Sequence, residues 1–271
     1  MSFQPILPLS GLAGWGFLSR TKARQEASFN ATPVIERDVS HFRKSFPSLT
    51  TAKALVDDRQ ALKVALGAFG LQDDLDNRAF IRKVIEDGTS DRRALANRLA
   101  DKRYLAFATA FAHLAPDGPA APEKGVQHRI ETAYRSREFE IAVGQQDPSI
   151  RMALALQREL PALASDYTSD SARWFAVLGN PPLREVLQTS LGFPKEFGKL
   201  DIDAQVSRMQ AAAHRKLGTS ELTKLAEPDQ LERITRDFLV MTQLRDMSSG
   251  MSGASIALTL LQQAGPGLRR I

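Results

Sequence analysis

The residue types that could do chemistry are few and scattered. Four histidines, His41, His113, His128 and His214, stand alone, none paired with another histidine or a carboxylate at the spacing of a zinc-binding helix. They read as exposed or locally bonded side chains, so no metal site is expected. The chain has no cysteine, which excludes disulfides, thiolate metal sites and a cysteine nucleophile. Residues 192–200, GFPKEFGKL, superficially resemble a phosphate loop. Five residues separate the glycines instead of four, Leu200 stands where a magnesium-binding hydroxyl belongs, and Pro194 removes a needed amide. Gly11, Gly14 and Gly16 are in the wrong order for a dinucleotide fingerprint. Around Ser252, the second glycine of a nucleophile elbow comes one residue early at Gly253. The carboxylate pairs Glu138/Glu140 and Asp201/Asp203 are expected near helix ends or on charged faces, where solvation is the default. Acid–base work would need them buried and close together. No catalytic residue and no cofactor is nominated.

The elements that would position any site are helices. Asp58 opens a segment with Leu62, Leu66 and Phe69 on one stripe, and Gly70 stands where a left-handed C-terminal cap belongs. Asn77 opens a second, with Phe80, Ile81, Val84 and Ile85 at helical spacing before Gly88. Ser90 and Asp101 are expected to cap the segments carrying Leu95/Leu99 and Leu105/Ala108/Ala112. Thr32-Pro33, Asp147-Pro148, Asn180-Pro181 and Glu227-Pro228 each place proline at a first helical position. Sustained alternation and hairpin turns of the Asn-Gly type are missing. The expected fold class is all-α, a multi-helix bundle.

That bundle reads as a duplicated helical unit. Val64, Ala65, Phe69, Gly70 and Leu71 align with Val186, Leu187, Leu191, Gly192 and Phe193 at an offset of 122, with Asp58 on Asn180 in the same register. The offset drifts to 126 at Leu99/Leu225 and Ala100/Ala226, as small insertions between helices would produce. The expected organisation is an N-terminal segment with helices over 1–49 and a first helical repeat over 50–114. A Pro/Gly-rich linker covers 115–125, connecting helices 126–171, a second repeat 172–246 and an amphipathic tail 247–271. A second short, polar loop is expected over 165–171.

With 271 residues, 43% of them hydrophobic and 25% charged, the chain is long enough for a substantial core and too apolar for disorder. Its formal charge of +5 invites a nucleic-acid reading. Residues 1–25 hold Arg20, Lys22 and Arg24 without an acid, and residues 247–271 hold Arg269 and Arg270 without one. The body, 26–246, carries 31 basic and 31 acidic residues. The excess therefore belongs to the termini, and nucleic-acid binding is not expected. The basic cluster follows an uncharged stretch, the reverse of a secretory signal, so no cleaved signal peptide is expected. Pro5, Pro8, Gly11, Gly14 and Gly16 should break any continuous apolar helix there. The C-terminal stretch is too rich in Ser and Gly for a membrane span. Both ends look like contact elements. Trp15, Phe17 and Leu18 with Arg20 form one, Ile256, Leu260 and Leu261 the other, and both are expected to pack onto a partner or onto the chain's own core.

Several blocks resemble a bacterial family of unknown function, numbered 1217. They are residues 58–71 (DRQALKVALGAFGL), 80–84 (FIRKV), 96–104 (ANRLADKRY), 137–144 (REFEIAVG) and 197–201 (FGKLD), with the early Gly-Trp-x-Phe-Leu of 14–18. The resemblance implies a helical protein whose relatives are associated with flagellar gene clusters, and it brings no catalytic residues. It implies a non-enzymatic protein-interaction module, flagellum-associated in structure or assembly. The partner would be a flagellar or motility protein, and the location cytoplasmic or flagellum-associated. The competing expectations are an enzyme with an inter-helix carboxylate site and a weak nucleic-acid-binding helical protein.

Overall fold

Short side-chain oxygens that satisfy free helix amides set much of the architecture. Asp58 accepts from the Ala61 amide and opens α4 (Arg59–Phe69), and Asn180 accepts from the Leu183 amide and opens α11 (Pro181–Ser190). Asp147 accepts from the Ser149 and Ile150 amides at the start of α9 (Pro148–Asp166). The structure, a computed structural model, describes residues 3–250, and among these every regular element is helical. The chain begins with α1 (Gly11–Asn30), α2 (Pro33–Ser45) and α3 (Ala52–Asp57). After α4 come α5 (Arg78–Glu86), the single-turn α6 (Leu95–Arg98), α7 (Arg103–Ala110) and the long α8 (Val126–Gly144). Beyond α9 lie α10 (Asp170–Leu178), α11, α12 (Ile202–Leu217), α13 (Leu222–Leu225) and α14 (Pro228–Gly250).

Apolar side chains gather into two cores. The first contains Phe42, Leu62, Leu66, Ile81, Phe107 and Phe111, and takes Val126, Ile130 and Tyr134 from the first half of α8. The second takes Phe139 and Val143 from the other half of α8 and adds Leu156, Trp174, Leu187, Met209 and Phe238. Helix α8 is therefore a shared beam, and each half of it completes a different core. Phe29, at the end of α1, touches both. The linker over 115–125 holds no helix and leads straight into α8.

Several expectations need correcting. The N-terminal glycines do not prevent a helix, because α1 runs through Gly14 and Gly16. Burial of Trp15 and Leu18 in the second core outweighs the poor propensity of glycine. Gly14 has a packing reason, since a Cβ there would run into the Leu9 carbonyl oxygen and lie 2.9 Å from Ile150 Cδ1. Ser90 caps no helix. Asp101 accepts instead from the backbone amide and guanidinium of Arg103, while Lys102 occupies the cap position of α7. The polar loop at 165–171 shrinks to the three residues between α9 and α10, and α14 continues past the expected boundary at 246.

Candidate functional site

Between the two cores lies a cleft walled by α4, α7 and α8 on one side and by the end of α9 with α10 on the other. Its wider part, about 620 Å³, is lined by Ala68, Phe69, Leu105, Ala110, Ile130 and Ala133 among other residues. The narrower end, about 340 Å³, reaches Arg137, Arg158, Glu159, Leu163 and Asn180. Ala68, Phe69, Lys102 and Tyr167 border both parts, so they form one continuous cavity.

Glu159 sits at the inner end and is almost fully buried. One of its oxygens accepts from Arg137 Nη2 at 2.8 Å and pairs with Arg158 Nη1 at 3.1 Å, while the other accepts from Asn180 Nδ2 at 2.5 Å. Burial works against its ionisation. The charges of Arg137 and Arg158 and the Asn180 amide outweigh burial and hold the carboxyl below its ordinary value. Arg158 is also clamped through two parallel hydrogen bonds to Glu140, at 2.7 and 2.8 Å. Lys102 caps the end of α6, donating to the carbonyls of Asn97 and Leu99 at 3.1 and 3.0 Å. Arg103 donates to the Gly70 carbonyl and to Asp101. The cleft thus offers an apolar wall whose inner end carries charges, Arg137, Arg158 and Glu159, that are already engaged inside the protein. It can take up apolar surface. Glu159, with both oxygens occupied and its pKa depressed, is poorly suited to act as a general base.

Of the sequence-nominated contact residues, Trp15 and Leu18 belong to the chain's own second core, only 5% and 0% exposed. Trp15 Nε1 donates to the carboxylate of Glu232 on α14, at 3.2 and 3.3 Å. They hold α1 in place and are not presented to a partner. Phe17 is half-buried and Arg20 is exposed on the same helix. Ile256, Leu260 and Leu261 lie outside the described residues. Glu140 corrects the expectation of solvated carboxylates, being buried against Arg158, and Glu138 beside it is half-buried. Asp201 and Asp203 are exposed at the start of α12, as expected.

The cleft residues escaped the reading of the sequence, although a signal existed. Glu159 lies one helical turn from Ala155 and Leu163 and two from Met152, so a carboxylate falls on the apolar stripe of α9. His41 bonds locally, its Nε2 within 2.8 Å of Asp58, and His113 is held against Phe46 and Phe111. Among the described residues no three His, Asp or Glu side chains gather as a metal site would require, and no helix is long and apolar enough to cross a membrane.

An all-α protein of two apolar cores sharing one long helix, with a cleft floored by internal ion pairs, is the class that this geometry defines. The chain belongs to the family described as protein of unknown function (DUF1217), whose model matches residues 68–231. That span runs from the end of α4 to the first turn of α14. No curated protein matches the chain. A crystal structure of protein AGR_C_984 from Agrobacterium tumefaciens is similar, with a TM-score of 0.71 at 22% identity, covering 89% of this chain and 99% of that one. At that identity the likeness establishes the shared fold.

Proposed function

We propose that this protein is a non-enzymatic interaction module serving flagellar structure or assembly, with a flagellar or motility protein as its partner. The observation that carries the interaction reading is the cleft, whose wall is apolar and whose charged inner end, Arg137, Arg158 and Glu159, is already paired within the molecule. Such a surface selects a ligand by shape and apolar area, as grooves that receive helices do. The flagellar part rests on the family resemblance. Affinity capture of the full chain with motility components, together with swimming of a deletion strain, tests the proposal. Impaired swimming and recovery of a flagellar component are expected. Normal motility with no such component bound would overturn it.

The proposal includes an internal duplication over 50–114 and 172–246. Two helix ends support it. Gly70 and Gly192 are both left-handed, at φ 71° and 86°. The Leu71 amide reaches back to the Leu66 carbonyl as the Phe193 amide does to Gln188, each at 2.9 Å. Together with the Asp58 and Asn180 caps, one local motif recurs at the offset of 122 read from the sequence.

A further inference from the structure

Asp166, the last residue of α9, borders both parts of the cleft between the cores. The other charged residues that line the cleft are engaged within the chain. Lys102 donates to the carbonyls at the end of α6, Arg103 donates to Asp101, and Glu123 and Arg129 pair with each other at 2.7 Å. Arg137, Arg158 and Glu159 hold one another at the inner end. Asp166 is exposed and has no hydrogen-bond or ion-pair partner among the described residues. An exposed carboxylate is ordinarily just solvated, but this one stands at the unfavourable end of a helix. The C-terminus of α9 is the negative pole of 19 aligned peptide units, and its last turn holds no basic residue. Arg173 of α10 donates to the Ala164 carbonyl at 2.9 Å and lies 3.9 Å from Asp170, so its charge is directed elsewhere. An apolar cleft is left with one unmatched charge, and that charge is negative.

We infer that the cleft receives an amphipathic helix of a protein partner, which brings a lysine or arginine to Asp166 between its apolar anchors. The inference rests on the reading of the cleft as an interaction surface. Asp166 runs along both parts, so the cation belongs between one anchor beside Leu105 and Ile130 and another beside Leu163. Lysine and arginine suit that position, because their methylenes lie along the apolar wall while the charged head reaches the carboxylate. An acid there would face both Asp166 and the negative pole of α9, and is selected against. Ala106, Thr109 and Ala162 line the cleft and are nevertheless exposed. A small ligand would therefore stay largely in water, whereas a helix fills the wall with its side chains and covers it with its backbone.

The test is a displayed library of amphipathic helical peptides, with acidic, neutral and basic residues allowed at every position. It is selected on the full chain and counter-selected on A106W, which fills the cleft from an exposed position of α7. Dodecylamine is titrated in parallel. Cleft-dependent binders are expected to carry a lysine or arginine between two large apolar residues, and changing it to glutamate should weaken binding about tenfold. D166K should turn the preference towards acids, and D203K, at an exposed acid of α12, should leave it unchanged, both with unaltered circular dichroism. Cleft-dependent binders without a basic preference, or a preference indifferent to D166K, would overturn the inference and leave the cleft as an apolar docking surface. Recovery of no cleft-dependent peptide, with or without binding of dodecylamine, would overturn the inference and the interaction reading together. Swimming of the deletion strain bears on the flagellar reading alone.

Discussion

Arg137 on α8 reaches in two directions, donating from Nη2 to Glu159 of α9 and from Nε to the carbonyl of Ala68 near the end of α4, each at 2.8 Å. One guanidinium thereby ties the first core to the second at the floor of the cleft. Its planar fork suits this task, and a lysine could not serve both acceptors in the same way.

Removing one partner from this pair should cost more than an exposed ion pair could. Glu159→Ala is expected to destabilise the fold by about 3–5 kcal/mol, because it leaves two buried guanidinium groups without their common carboxylate. Urea midpoints of wild type and variant would measure it. A pH dependence follows as well. The folded-state pKa of Glu159 lies below its ordinary value of 4.5, so its contribution is present above that value and is lost as pH falls through and below it. The wild-type midpoint should drop in that acid range more steeply than that of Glu159→Gln.

Glu138 behaves in the opposite sense. Burial, with Asp38 nearby, pushes its carboxyl above the ordinary value despite Lys63 and Arg151. The folded chain then holds this proton more tightly than the unfolded chain, so stability declines as pH rises from the unfolded value through the folded one. Glu138→Gln should raise the melting temperature at neutral pH, and the two proteins should converge in acid. Thermal melts of the two proteins from acid to neutral pH check this.

Close helix approach makes Gly67 sensitive. A Cβ at Gly67 would stand 2.8 Å from Cδ2 of Tyr134, whose hydroxyl donates to Asp38 at 3.0 Å. The ring is fully buried and anchored at its far end, so it cannot easily step aside. Gly67→Ala should lose about 1–3 kcal/mol through overpacking, despite the better helix propensity of alanine. Denaturant unfolding would register the loss.

Trp15 separates a structural role from a docking role. Trp15→Ala should destabilise the chain by about 3–5 kcal/mol, because the indole is buried and its Nε1–H is spent on Glu232. Amide exchange along α1 should rise together with that loss. Phe17→Ala, at a half-buried position on the same helix, should cost far less.

The helical fold was legible because its signals are local. Asp58, Asp147 and Asn180 each cap the helix they precede, and Gly70 ends one in the left-handed form the sequence predicts. The first turns of α1, ahead of Arg20, depart from expectation for the complementary reason. Their glycines argue locally against a helix, and only the tertiary burial of Trp15 and Leu18 reverses that. The cleft is likewise non-local. Arg137, Glu159 and Asn180 come from α8, α9 and the cap of α11, and no spacing within one segment announces their meeting. The most the sequence offers is a lone carboxylate on the apolar stripe of α9.

The two left-handed glycines differ in what surrounds them, which makes them a controlled pair. At Gly192 nothing lies within 4 Å of where a Cβ would stand, so Gly192→Ala should pay only the left-handed backbone cost of about 1–2 kcal/mol. At Gly70 the same Cβ would sit 2.8 Å from Arg137 Nη1 and 3.3 Å from Arg103 Nη1. Gly70→Ala therefore adds displacement of the guanidinium that bridges Ala68 and Glu159 to the same backbone cost. Its loss should exceed that of Gly192→Ala by more than the scatter of the measurement. It should also shrink when combined with Glu159→Gln, since a bridge already weakened has less to lose. A double-mutant cycle by urea unfolding reads both differences. Equal losses at the two glycines, with no coupling to Glu159, would show that Arg137 swings clear and that the bridge between the cores is not held rigidly.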